Sequence, residues 1–169
     1  MDNMKKDTPK NNITGQHKKD TNPKDAVGIA KCPLSVVSAP VLMEIGLGMM
    51  EGARKYRRHN YRVAGVRASV YYDAAMRHLM AWWEGESIDL DSGLNHITKA
   101  LACLSVLRDS MILGNWKDDR PPKHKDGWIA EYNKKAKEII EKYPNGLEPY
   151  TEIEEAAKKI KKEGNHQKT

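Results

Sequence analysis

Phenylalanine is missing from this chain altogether, and only two of its 169 residues are cysteine. Tryptophan, tyrosine and methionine must therefore supply the large apolar side chains of any core. Cys32 and Cys103 are too few for a disulfide framework or a zinc knuckle, and Cys103 sits in an apolar run where a small core residue is expected. No apolar stretch approaches the roughly 20 residues of a membrane-spanning helix, and nothing resembles a signal peptide. The expected location is the cytoplasm, with no membrane partner. There is no alternating strand pattern, no internal repeat and no glycine-rich phosphate loop. These absences exclude a disulfide-stapled secreted fold and a P-loop nucleotide site. They leave an all-α reading: short helices joined by short turns, arranged as an antiparallel helical bundle.

Positive charge is present but scattered. The net charge of +6 divides into +3 over residues 1–24, +1 over 25–122 and +2 over 123–169. A nucleic-acid binder concentrates its excess on one folded face. Here the central segment is nearly balanced, so solubilising ends are a simpler reading than a DNA-binding arm. Residues 1–22, rich in Lys, Asn, Asp and Thr, read as a disordered basic tail. Residues 23–122 read as one domain, and 123–169 as a charged helical extension.

Within the central domain the pattern predicts three helices. The first starts at Ser38 or Ala39, with Pro40 in its first turn, and runs to about Tyr56 with Val41, Leu42, Ile45, Met49 and Ala53 inward. Glu44, Gly48, Glu51 and Lys55 share another stripe, which suits either a solvated face or a cleft where Gly48 lets a ligand approach. After a loop from Arg57 to Arg67, the second helix runs from Ser69 to Glu84 with Tyr72, Met76, Leu79 and Trp83 as its core stripe, and Gly85 ends it. Ser92 is the expected N-cap of the third, which runs from Gly93 to Leu113. Two charged helices, Asp126–Lys142 and Thr151–Lys162, follow.

The chemistry concentrates in two places. Between Arg77 and His96 the chain packs His78, Glu84, Glu86, Asp89, Asp91 and His96 around one turn. Hard divalent cations prefer carboxylate oxygens, and a hairpin there would bring the two histidines close. They could be ligands, acceptors for a metal-bound water, or phosphate donors, or merely packing residues. Asp89-x-Asp91-x-Gly93 lacks the remaining ligands of a calcium loop. Upstream, Arg54, Lys55, Arg57, Arg58 and Arg62 crowd nine positions among Tyr56, His59, Asn60 and Tyr61. Cations of this kind grip phosphate, and the rings and the amide suit a base or sugar. The same composition also fits RNA or DNA contacts, or a solvated basic loop, but Glu44 and Glu51 on the same helix as the first cations favour a metal–polyphosphate site. The expected reaction is hydrolysis, with a metal neutralising phosphate charge and activating water; no serine or cysteine stands in a context that argues for a covalent intermediate.

The segments Gly52–Tyr61 (GARKYRRHNY), Asp73–Asp89 (DAAMRHLMAWWEGESID) and Ser92–Ala100 (SGLNHITKA) resemble the bacteriophage dATP/dGTP diphosphohydrolase family over roughly residues 22–122. That family is related to the MazG-like all-α nucleoside triphosphate pyrophosphohydrolases. The resemblance implies hydrolysis of purine deoxynucleoside triphosphates to monophosphate and pyrophosphate with a divalent metal (Mg²⁺, Mn²⁺ or Co²⁺). It implies a homo-oligomer, a dimer or tetramer, with sites near subunit interfaces. It also suggests a role in phages that replace adenine by 2-aminoadenine. The MazG pattern of Glu-x-x-Glu followed by Glu-x-x-Asp is absent from the core, while Glu138-x-x-Glu141 and Glu152-x-x-Glu155 lie on Lys-rich helices and read as solvated faces. The expected metal ligands are Glu44, Glu51, Glu86 and Asp89, with Glu84 a further candidate. Lys55, Arg58 and Arg77 are expected on phosphates, Asn60 and His78 near the nucleotide, and His96 in support; Glu44, Lys55, Arg77 and His78 form the expected catalytic set. A contrasting reading is a non-enzymatic module that binds nucleic acid or a replication protein through its Lys-rich ends.

Overall fold

A computed structural model describes residues 22–166. The expectation of disorder over residues 1–22 therefore falls, but for Asn22, outside the described residues. The chain divides into two units between Arg120 and Pro121. Among the described residues the fold is all-α apart from one very short pair of strands.

In the first unit, Asn22 caps a short helix α1 (Pro23–Gly28) by accepting from the Lys24 amide, so the expected turn is one and a half turns of helix. Helix α2 spans Ala39–Tyr56. The expected loop after it contains a further short helix, α3 (Asn60–Ala64). Strand β1 (Val66–Arg67) then pairs in parallel with β2 (Trp116–Lys117), Val66 opposite Trp116. Two residues per strand are too few to show alternation, which is why the pattern missed them. Helix α4 (Ala68–Trp83) begins where Asp119, just past β2, accepts from both the amide and the hydroxyl of Ser69. This satisfies an otherwise free first-turn N–H, and the same bonds hold the Asp119 carboxyl below the usual carboxylate range.

Helix α5 (His96–Leu113) starts three residues later than expected, and its N-cap is Asn95, which accepts from the Ile97 amide, rather than Ser92. The preceding residues fold back on themselves. Asp89 N donates to Leu94 O at 2.9 Å, His96 N to Ser87 O at 3.1 Å, and Ile88 bridges Asn95. A backbone paired across this hairpin is not free to be helical. Gly114 ends α5 in the left-handed region (φ +71°), where glycine costs least.

Helix α5 is the axis of the unit, packed by both α2 and α4. Apart from His96 at its start, its buried residues are small: Thr98, Ala100, Ala102 and Ser110. Gly48 of α2 lies against this strip, and a Cβ there would stand 2.9 Å from the Ala102 Cβ. The close approach that Gly48 permits is thus made by a helix. The expected core stripes are corrected as well. Tyr72 and Trp83 are 58% and 78% exposed, while Ala68 and Ala75 are the buried residues of α4. Val41 and Leu42 of α2 are also exposed. Small residues face inward because the helices approach closely, and the large ones are left on the outside.

The second unit holds α6 (Trp128–Lys142) and α7 (Glu152–His166). Its Glu-x-x-Glu pairs are solvated: Glu138, Glu141 and Glu155 are half exposed or more and ion-pair with Lys134, Lys137 and Lys158. No helix among the described residues is long and apolar enough to cross a membrane.

Candidate active site

A cavity of about 620 Å³ opens between α2, α3, α4 and α5. This is within the range of small-ligand sites. Its walls differ in chemistry. Met49, Ala53, Tyr71, Cys103 and Val106 give an apolar side, and Glu51, Lys55, Arg58, Asn60, His78 and Lys99 give a polar one. Burial raises the pKa of both the Tyr71 hydroxyl and the Cys103 thiol, so these two groups stay neutral, and Cys103 is the small apolar residue expected of it. Arg54, Arg57 and His59 complete the mouth. Arg57 and His59 have φ of +77° and +60°. Side chains rarely adopt these values, which cost of order 1–3 kcal/mol where they are held. The strained bend is what turns the chain from α2 into α3 and sets the cations around the opening.

Two lysines are fixed on this wall by carboxylates. Glu51 reaches Lys55 at 2.6 Å through Oε1 and bonds Lys99 through Oε2. Lys55 also meets Asp91 at 2.6 Å, and Lys99 lies 3.6 Å from Asp89. Partial burial opposes ionisation of Glu51, but the two lysines outweigh it and lower its pKa. The hydrogen bonds that Lys55 donates to Asp91 and Glu51 raise its own pKa. The Ser92 hydroxyl holds the Asp89 carboxyl below its usual range.

Adjoining the lysines, the hairpin at 87–96 brings together two residues 18 apart. His78 of α4 and His96 of α5 face each other with their Nδ1 atoms 2.8 Å apart. With Asp89 they form a group whose donor atoms all lie within 4.8 Å of one another. His96 is 5% exposed, and its Nε2 is buried without a hydrogen-bond partner. Glu86 Oε1 stands 3.5 Å from that nitrogen. Two imidazoles and a carboxylate are a competent donor set for a divalent cation. Two nitrogens about 2.1 Å from one ion at a right angle lie about 3 Å apart, close to the separation between these rings. The residues present therefore fit a divalent metal.

Of the other expected site residues, Glu44 is exposed and bonds the Thr98 hydroxyl. Glu84 and Arg77 are exposed on or just beyond α4. Glu44 and Glu51 fall outside the His78–Asp89–His96 group. Lys99 was missed as a site residue. The available signal was its place three residues after His96, on the same side of one helix.

Residues 21–120, more than half of the chain, match the family described as dATP/dGTP diphosphohydrolase, N-terminal. No curated protein and no solved structure matches the chain.

Proposed function

The chain belongs to the dATP/dGTP diphosphohydrolase family, a family of hydrolases, and from that premise we propose that the cavity hydrolyses purine deoxynucleoside triphosphates with a divalent metal, releasing monophosphate and pyrophosphate. The observation that carries this reading is the meeting, in one cavity, of fixed lysines, an apolar wall and the edge of the His78–Asp89–His96 group.

The apolar wall of Met49, Tyr71 and Val106 takes the purine, with the Asn60 amide available to a base edge or sugar hydroxyl. Lys55, Lys99 and Arg58 grip the triphosphate, and their charge offsets what develops on the leaving oxygens. Glu51 keeps the two ammonium groups in place before substrate arrives, so they need little reorganisation during reaction. Arg77 adds a cation on the α4 side, and Glu44 remains a candidate for a further ion. Asp89 with His78 and His96 would hold the divalent ion. Such an ion, when bound, neutralises phosphate charge and activates water. Water attacks the α-phosphorus, the bond from that phosphorus to the α–β bridging oxygen breaks, and pyrophosphate leaves with the bridging oxygen.

We also propose self-association. Met43 and Met50 of α2 and Val70, Met80 and Trp83 of α4 are all more than half exposed, and large apolar side chains left open together mark an interaction surface. A second copy would cover it. Light scattering should give a dimer or tetramer, and a strict monomer would contradict this. The pathway reading is a supply of dGMP and removal of dATP in a cell that builds 2-aminoadenine into DNA, and absence of that base from the source genome would rule it out.

The reaction is tested by incubating the purified chain with each of the four dNTPs and Mg²⁺, Mn²⁺ or Co²⁺. Pyrophosphate from dATP or dGTP supports it. Inorganic triphosphate, or salt-steep DNA binding without turnover, rejects it.

A further inference from the structure

The edge of His96 that faces away from His78 is its most constrained part. In the bond between the two imidazoles one Nδ1 donates and the other accepts, and the choice fixes where the lone pairs lie. The Nε2 of His96 is buried and lacks a hydrogen-bond partner, and Glu86 Oε1 is 3.5 Å from it. Were the His96 proton on Nδ1, the Nε2 lone pair would face a carboxylate oxygen at a place poor in water. With the proton on Nε2 that contact becomes attractive, and the Nδ1 lone pair is left pointing at His78, in the group that Asp89 completes. The backbone reinforces the arrangement. His96 N donates to Ser87 O at 3.1 Å, which pins the residue after Glu86 to the start of α5.

We propose that Glu86 is a positioning residue and not a ligand: its carboxylate holds His96 as the Nε2–H tautomer, so that His96 Nδ1, His78 Nδ1 and Asp89 form a mixed nitrogen–oxygen site that prefers a first-row transition cation such as Co²⁺ or Mn²⁺ to Mg²⁺. The assignment rests on the metal-dependent reading above. It follows from two general tendencies. Metal-binding histidines give their second N–H to a carboxylate or carbonyl, and imidazole nitrogen favours transition ions where Mg²⁺ favours oxygen and water. For an ion to enter, His78 moves its ring proton from Nδ1 to its own Nε2, with no change in charge.

The test uses the full-length chain without nucleotide. Long-range ¹⁵N correlation on the metal-free protein should show His96 protonated on Nε2, and Co²⁺ titration should give visible d–d bands that disappear in His96→Ala. Glu86 is about half exposed, so Glu86→Ala should fold. It should lower Co²⁺ affinity about 10–100-fold without moving the bands, and it should leave Mg²⁺ affinity nearly unchanged. Glu86→Gln, which keeps an acceptor oxygen, should lose less. Protonation of His96 on Nδ1 in the wild type, unaltered Co²⁺ affinity in Glu86→Ala, or bands that shift in that variant because a ligand has gone would each overturn the proposal. Co²⁺ binding of the expected kind without pyrophosphate release would remove the reaction and leave this site. Pyrophosphate release with none of these tautomer and affinity effects would do the reverse.

Discussion

The two flanks of the cavity hold their polar groups in opposite ways. On one, Lys55 and Lys99 are charged and tied to Glu51, Asp89 and Asp91, with Lys55 open to water. On the other, two imidazoles face each other, and one is almost wholly buried with a nitrogen unpartnered. A paired ammonium is ready to exchange a carboxylate for a phosphate. Two imidazole nitrogens held beside the Asp89 carboxylate are instead a donor set for a divalent cation. On the proposed reading the lysine flank takes the anionic substrate and the histidine flank a cation.

The sharpest break is at the histidine flank. His78→Ala should reduce metal-dependent pyrophosphate release by at least about a thousandfold, since a metal supplies several kcal/mol of transition-state stabilisation, and steady-state kinetics would show it. Next comes the lysine flank, where Lys99→Met should cost about a hundredfold in kcat/KM, the order expected for loss of one fixed charge donor. Lys55→Met should cost less, because that side chain is 44% exposed.

The spacing of the flanks depends on how closely α2 and α5 approach. Gly48→Ala should destabilise the fold by about 1–3 kcal/mol through overpacking against Ala102, partly offset by roughly 1 kcal/mol of helix propensity. Chemical denaturation would measure the net loss. A smaller effect is expected from pH. Burial holds the His78 pKa below its ordinary value, against the pull of Asp89, whereas the unfolded chain keeps a value of about 6.5. Between the two the unfolded chain binds more protons. The thermal midpoint of the metal-free protein should therefore be level above about pH 7.5 and fall as pH drops through 6.5 towards the folded-state value. His78→Asn should remove that part of the slope. Smallest of all, Asp91→Asn breaks an exposed ion pair and should change stability by no more than about 1 kcal/mol.

Much of this arrangement was legible in the sequence. Pro40 and Gly85 marked helix boundaries to within two residues, because each acts through local backbone geometry. Placing His78 and His96 either side of a turn was enough to expect them near each other. The start of α5 was not legible, because the hairpin before it depends on backbone pairing between Ser87 and His96. Nor was the direction of the helix faces. Periodicity finds an apolar stripe, but it does not say that glycine, alanine and threonine will line the contact while tryptophan and tyrosine stay outside. Lys99 escaped because its significance lies in two carboxylates, Glu51 and Asp89, that reach it from other elements.

The central claim is about where the cation sits, and crystals soaked with Mn²⁺ and a non-hydrolysable dGTP analogue test it most directly. The account predicts an anomalous peak at His78, His96 and Asp89, with the triphosphate on Lys55 and Lys99. A peak on Glu44 and Glu51 alone, with the two imidazoles still bonded to each other, would contradict it.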